Sequence, residues 1–289
     1  MNLCQPSVIR ALMEEAGIVF RREYGQNFLI DPHVPERIAD ACADRPDMLI
    51  LEIGPGIGCL TRELSARYES VVAVEIDTGL IPVLDKTLSD CPNTRVVCGD
   101  VMKTDLPALL AGPVPAGGIA VCANLPYYIT TPILMRLLEC DVPFSSITVM
   151  VQAEVAARLS AAPGTSDYGA ITAVLGYYGE VKRLFTVPAG CFLPAPKVNS
   201  AVVRVDLFRD KPCRPQNEKL FFEVIRAAFG MRRKTLCNAL GVLNGFSRAD
   251  IAAAIEETGL PPAVRGERLS TADFCRLSDA LYRRRAVQP

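Results

Sequence analysis

Nothing in this chain narrows its possible folds more than the stretch from Met48 to Arg67. An apolar run, Met48 to Ile53, leads without a spacer into Gly54-Pro55-Gly56-Ile57-Gly58, and a helical pattern follows from Leu60 to Arg67. A strand that turns on glycines into a helix opens a βαβ unit, and the missing side chains let a ligand come close to the backbone. A second apolar run, Val71 to Ile76, ends in Glu75-Ile76-Asp77, with Glu75 standing 19 residues after Gly56. A carboxylate at about this offset accepts the hydroxyls of a ribose. The dinucleotide spacing G-x-G-x-x-G is absent, because Cys59 fills the position of its third glycine. No lysine serves a phosphate loop either. The loop suits a nucleoside without a diphosphate.

The same alternation continues along the chain. Arg95 to Cys98, Ile119 to Cys122 and Ile147 to Val151 read as further strands, with Tyr177 to Val187 and Ala201 to Leu207 as strand candidates. Helices are expected over 6–16, 35–43, 131–139 and 152–159. Strands alternating with helices of this length indicate an α/β fold with a parallel, doubly wound sheet. Ligands of such sheets bind at strand C-termini. Asp100 follows the third strand, where it is either a turn residue or an acceptor for an adenine amine. Arg21 to Leu29, including Gly25, Gln26, Asn27 and Phe28, matches neither helical nor strand periodicity and reads as a structured polar loop.

The fourth strand runs into Asn124-Leu125-Pro126-Tyr127. Pro126 has no N–H for a sheet ladder, so pairing stops there. This quartet suits alkylation of a planar aromatic amine, a poor nucleophile whose lone pair is delocalised into its ring. The Asn124 side-chain oxygen and the Leu125 carbonyl can each accept one amine hydrogen, which turns the lone pair toward an electrophile. Tyr127 offers a face on which an extruded base can stack. An ordinary Asn-Pro loop after a strand is the competing reading. The late segment Phe192-Leu193-Pro194-Ala195-Pro196-Lys197-Val198-Asn199-Ser200 also admits two readings. Phe192 could form the second face of a base sandwich with Tyr127 and Lys197 could meet a phosphate, or the segment is a stiff crossover with a buried Phe.

Composition removes several function classes. Half of the 289 residues are hydrophobic, enough for a sizeable core, yet no apolar run approaches the ~18–20 residues of a membrane span. Met1 to Arg10 lacks a signal core. The eleven cysteines are odd in number and show no C-x-x-C spacing, which suits reduced thiols in a cytoplasm. His33 is the sole histidine, so a His-based triad or multi-His metal site is nearly excluded. Net charge is −1, but it is unevenly spread. Residues 209–289 hold 15 Lys/Arg against 9 Asp/Glu, while residues 1–208 hold 16 against 23. The expectation is an acidic catalytic domain over 1–208 and a basic helical domain over 209–289. In the latter, Phe222, Ile225, Phe229, Leu236 and Leu240 fall at helical spacing around Arg232-Arg233-Lys234, helix 248–258 follows, and Ser270 with Asp273 forms a capping-box start for a last helix. Its charge is either a solvated face or a phosphate-binding surface.

Taken together, the motifs resemble those of the bacterial small-subunit ribosomal RNA adenine dimethyltransferases over nearly the whole chain. GQNFL at 25–29, EIGPGIG at 52–58, VEID at 74–77, GD at 99–100, NLPY at 124–127, FLPAPKVNSAV at 192–202 and RAAFGMRRKTLCNAL at 226–240 occur in order at family-like spacings. Tyr128 departs from the small polar residue expected after NLPY, and Cys237 stands where another charge is common. The resemblance implies a Rossmann-like class I methyltransferase domain and a small all-helical C-terminal domain. It implies S-adenosylmethionine as cofactor, held by Asn27, Leu29, Gly54, Gly56, Glu75, Asp100 and Asn124, and no metal. Asn124, Leu125, Pro126, Tyr127 and Phe192 would form the reaction site, and Lys197, Arg232, Arg233 and Lys234 would meet RNA. The implied reaction is dimethylation of two adjacent adenines in the 3′-terminal hairpin loop of small-subunit rRNA, by a monomer acting on the immature subunit. A large-subunit rRNA methyltransferase and a mainly non-catalytic assembly factor are the alternatives.

Overall fold

The computed structural model describes residues 1–18 and 26–286. Arg21, Arg22, Glu23, Tyr24 and Gly25 of the expected polar loop lie outside the described residues. Two compact units partition the chain: Met1–Ala156 with Lys182–Leu207, and Ala157–Val181 with Phe208–Pro289.

The first unit is built on a seven-stranded sheet. Its elements are α1 (Pro6–Glu15), β1 (Phe28–Leu29), α2 (His33–Asp40), β2 (Leu49–Ile53), α3 (Cys59–Arg67), β3 (Ser70–Glu75), α4 (Ile81–Thr87), β4 (Thr94–Cys98), α5 (Leu106–Leu109), β5 (Ile119–Asn124), α6 (Thr130–Glu139), β6 (Phe144–Gln152), α7 (Ala153–Leu159), β7 (Gly179–Val187), β8 (Phe192–Leu193) and β9 (Ser200–Leu207). The strand order is β4-β3-β2-β5-β6-β9-β7. β2 pairs in parallel with both β3 and β5, so the order reverses at β2 and the ends of β2, β3 and β5 open on one crevice. All five residues of β2 are buried, as expected of a central strand covered on both faces.

The expected all-parallel sheet needs correction. β9 runs antiparallel to β6, from Ser146 opposite Asp206 to Gln152 opposite Ser200. Apolar content does not encode direction: β9 reads as a buried strand either way. The expected strand from Tyr177 also divides, since α8 (Ala170–Tyr178) ends where β7 begins. The two-residue strands β1 and β8, which pair antiparallel, were too short to show any periodicity.

One core cluster joins Val34, Ile38, Ala39 and Cys42 of the α2 region to Ile50, Leu64, Tyr68, Ala120, Met150, Phe192 and Val202. Tyr68 closes it with a polar clasp. Its hydroxyl donates to the Ala39 carbonyl at 2.7 Å, which also accepts the Cys42 N–H, and it accepts the Ala43 N–H at 3.1 Å, a donor just past the end of α2.

The second unit is helical: α8, α9 (Glu218–Gly230), α10 (Leu236–Leu240), α11 (Arg248–Glu257) and α12 (Thr271–Ala286). Phe221 and Phe274 are fully buried in it. The chain changes unit after Leu207, and the helical unit also takes 157–181. The reason is a set of long-range ties. Tyr168 donates to the Leu269 carbonyl at 2.8 Å, Thr271 donates to the Ala173 carbonyl at 2.9 Å, and the Tyr168 ring meets Phe229 edge-on at 5.7 Å. The Ser270–Asp273 capping box forms as expected, with both backbone N–H groups accepted reciprocally. Arg232, Arg233 and Lys234 do not lie in a helix: α9 stops at Gly230 and these three occupy the exposed turn before α10.

Tyr68→Phe is expected to destabilise the protein by about 1–3 kcal/mol, because the buried Ala43 N–H loses its partner while packing is kept. Urea denaturation of the two proteins checks this; equal midpoints would make the clasp dispensable.

Candidate active site and cofactor cleft

The ends of β2, β3 and β5 surround a cleft of about 840 Å³, counted to its open mouth, a size within the range of nucleotide-sized ligands. Its wall joins Asn27 and Leu29 of the N-terminal strap, Glu52, Gly54 and Gly56 of β2 and its loop, Glu75, and Asn124 to Tyr127. Five of the residues expected at the cofactor, Asn27, Leu29, Gly54, Gly56 and Glu75, therefore meet the reaction quartet across one space.

The glycine loop holds its shape through backbone geometry. Gly56 has φ +62°, and a Cβ there would stand 3.1 Å from the Phe28 ring. Any larger residue would be strained and would push the strap away. Glu75 completes the loop. One carboxylate oxygen accepts the Gly56 N–H at 3.1 Å and the other accepts the Asp77 N–H at 2.8 Å. Glu75 is 5% exposed, and burial raises its pKa while these two N–H groups work against the rise. Asp77 in turn accepts from Gln26 at 2.8 Å, which fastens the strap to the end of β3.

Glu52 was seen only as part of a motif, and the structure gives it a role of its own. It is 1% exposed in the middle of β2, opposite Ala73 and Cys122 on the flanking strands, and it lines the cleft. Its Oε2 has no hydrogen-bond partner among the described residues. The signal in the sequence was a single acid inside the apolar run Leu-Ile-Leu-Glu-Ile. Burial pushes its carboxyl up to about 8, and the neighbouring Glu75 acts in the same direction. A buried carboxyl with an oxygen left unpartnered is costly unless neutral or paired with a cation.

At the opposite wall, the Asn124 amide nitrogen donates to the Asn27 carbonyl at 3.4 Å. That contact fixes the amide so that its oxygen is the group left to accept. Leu125 is buried and its N–H is taken by the Met150 carbonyl at 3.2 Å, while the Leu125 carbonyl takes no hydrogen bond from the described residues. The Pro126 carbonyl is held by the Ile129 N–H at 3.2 Å and the Thr130 hydroxyl at 3.3 Å. The Tyr127 hydroxyl shares a 2.7 Å hydrogen bond with Ser200, which anchors the ring at the rim. Burial raises the Tyr127 pKa.

The chain belongs to the ribosomal RNA adenine dimethylase family. The description "Ribosomal RNA adenine dimethylase" matches residues 17–282. The Ribosomal RNA small subunit methyltransferase A of Shouchella clausii is 46% identical over 285 residues, covering 97% of this chain and 96% of that protein. The protein of the same name from Lachnoclostridium phytofermentans is 46% identical over 282 residues, covering 96% and 97%. Among solved structures, the 23S rRNA methyltransferase ErmE is similar with a TM-score of 0.68 at 28% identity, covering 89% of this chain and all of that one. A dimethyladenosine transferase from Plasmodium falciparum shares the fold, with a TM-score of 0.73 at 24% identity and coverage of 86% and 95%.

Three residues expected at this dimethylase site stand apart from the cleft wall. Asp100 reaches the right sheet end, since the Gly99 N–H bonds the Glu75 carbonyl at 2.8 Å, but its carboxylate accepts the Met102 N–H at 2.9 Å. Phe192 is 2% exposed within the core and pairs with Leu29 across β8 and β1, so the structure favours the buried-crossover reading over an open stacking face. A Phe after a cysteine in a Pro-rich loop carries no periodicity that could have separated the two. Lys197 is exposed in a groove with Gln152, Glu154 and Asn199, one residue from the Asn199–Ser200 pair that leads to Tyr127.

The proton balance of Glu52 gives a test. An unfolded glutamate ionises near 4.5, and the folded protein holds this proton to about 8. Between those values the folded state binds more protons, so stability falls as pH rises. Glu52→Gln should remove that part of the slope and raise the melting temperature of the cofactor-free protein near pH 8. Thermal melts from about pH 5 to about pH 8 decide it, and identical slopes would contradict the assignment.

Proposed function

We propose that this protein is the small-subunit rRNA adenine dimethyltransferase of its cell, and that it transfers methyl groups from S-adenosylmethionine to the exocyclic amines of two adjacent adenines in the 3′-terminal hairpin loop. The observation that carries the chemistry is the Asn124 amide on the cleft wall, whose nitrogen is occupied by the Asn27 carbonyl, which leaves its oxygen to accept, with Leu125 next to it on the same wall. The relatives' names favour the small subunit: the two bacterial proteins at 46% identity carry it, whereas the large-subunit enzyme is 28% identical.

S-adenosylmethionine supplies an electrophilic methyl on a positively charged sulfur. The residues present fit it. Glu75 presents a buried carboxylate with lone pairs to spare for the ribose hydroxyls, and the unpartnered Oε2 of Glu52 suits a cationic group of the donor. Gly54 and Gly56 let the nucleoside lie on backbone, with Asn27, Leu29 and Asn124 around it; Asp100 stands at the neighbouring strand end. On the substrate side, Asn124 and the Leu125 carbonyl accept the amine hydrogens and stabilise the positive charge that develops on nitrogen. Tyr127 gives the base a face whose tilt is set by Ser200. The chain's contribution is alignment of amine and methyl. After one transfer a single amine hydrogen remains, so either acceptor suffices for the second.

The basic helical unit is the proposed RNA grip, with Lys197 as a phosphate contact of the catalytic unit. Within Arg232-Arg233-Lys234 the roles divide. Arg232 pairs with Glu267 at 3.1 Å and donates to the Ser166 carbonyl, so it braces the helical unit. Arg233 and Lys234 make no ion pair among the described residues and are exposed.

Asn124→Ala is expected to slow single-turnover methyl transfer by about 10²–10³-fold at saturating RNA, with RNA affinity changed less than about threefold. A variant near wild-type rate would remove Asn124 from the chemistry. Arg233→Glu with Lys234→Glu should flatten the salt dependence of RNA binding by about 0.7–0.9 in log–log slope per lost phosphate contact, measured by filter binding. An unchanged slope would make them a solvated face. The substrate itself is tested by offering undermethylated small and large subunits with labelled S-adenosylmethionine and mapping the product. Dimethyladenine in the small-subunit hairpin is expected, and label confined to the large subunit would overturn the reading.

A further inference from the structure

Tyr128 is 65% exposed and makes no hydrogen bond, ring contact or ion pair with a described residue. A single exposed aromatic is ordinary in itself. Its position is what sets this one apart. It follows Tyr127 in the turn that closes the reaction cleft, and that turn is held from three sides. The Tyr127 hydroxyl is tied to Ser200, the Pro126 carbonyl accepts from Ile129 and Thr130, and the Leu125 N–H is bonded to Met150. The backbone on either side of Tyr128 is therefore held while its ring is uncovered, one residue beyond Tyr127 of the cleft wall. A phenol ring has the amphipathic character of a base-stacking platform, and holding its backbone beforehand reduces the entropy lost on contact.

We propose that Tyr128 is a second stacking platform, which receives the unpaired nucleobase next to the adenine undergoing transfer. The inference rests on the adenine-in-rRNA reading above. Extruding one base from a loop leaves its neighbour without a stacking partner, and that loss is part of the cost of extrusion. An aromatic ring outside the cleft recovers it for any base, because every base has a π-face. With two adjacent adenines to modify, the platform holds one while the other reacts, and the two exchange places between rounds.

The test uses the full-length protein and a small-subunit hairpin RNA with 2-aminopurine, whose fluorescence is quenched by stacking, at the position adjacent to the reacting adenine. Tyr128→Ala is expected to leave the bound 2-aminopurine brighter than in the wild-type complex. On the unlabelled RNA it should raise KM by about 5- to 150-fold, the range expected for one base–aromatic stack, with kcat changed less than about twofold. Tyr128→Phe should behave as wild type in both measurements, and S-adenosylmethionine affinity should be equal in all three, which also reports intact folding. A Tyr128→Ala protein that matches wild type in KM and fluorescence overturns the proposal, as does a Tyr128→Phe protein that fails like the Ala variant, since the hydroxyl and not the ring would then be at work. Wild-type protein that transfers no methyl to this RNA overturns the substrate reading instead, and is recognised before any variant is compared.

Discussion

The Glu75 carboxylate joins two strand ends that would otherwise be independent. Parallel pairing brings β2 and β3 side by side, but it leaves the loops after them free to choose their own paths. By accepting the Gly56 N–H with one oxygen and the Asp77 N–H with the other, Glu75 locks both loops into one surface. Asp77 passes the constraint on to Gln26, and the Phe28 ring two residues later lies against Gly56. The strap then ends in β1, whose Leu29 stands in the main core beside Phe192. A single buried carboxyl thus orders one wall of the cleft. The cost of its burial is met by backbone N–H groups rather than by a counter-ion, which leaves lone pairs facing the cleft for hydroxyl donors.

The other wall follows a different logic. Asn124, Leu125 and Pro126 have each had the polar group that would compete with substrate assigned to another partner. The Asn124 nitrogen goes to Asn27, the Leu125 N–H to Met150, and the Pro126 carbonyl to the start of α6. What remains toward the cleft are acceptors, the polarity an amine donor requires. The Asn27 carbonyl links the two walls, because the strap that packs on the glycine loop also holds the Asn124 amide. The two walls of the cleft are therefore joined through one short segment.

The helical unit shows how charge counts and structure divide the work. An excess of positive charge after residue 209 could be counted directly, but a count does not say which cations are committed. Arg232 is spent on Glu267 and Ser166, and Arg283 and Arg284 both bind Glu257, at 2.6 and 2.5 Å. These arginines brace one helix or loop against another. The positive charge left without an ion pair among the described residues is smaller than the sequence suggests, and Arg233 and Lys234 are part of it.

By itself the sequence determined the βαβ order, the glycine loop, the carboxylate at Glu75 and the Asn124 quartet at a strand end. These depend on local periodicity and on fixed offsets within one βα unit, where the chain's stereochemistry leaves few choices. Tertiary structure alone decided the antiparallel entry of β9, the transfer of 157–181 to the helical unit, the burial of Phe192 and the unpartnered Oε2 of Glu52. Each of these turns on which distant segment a residue meets. Strand direction, a ring's exposure and a carboxyl's partner are set by neighbours 20 to 160 positions away, and no nearby residue records them.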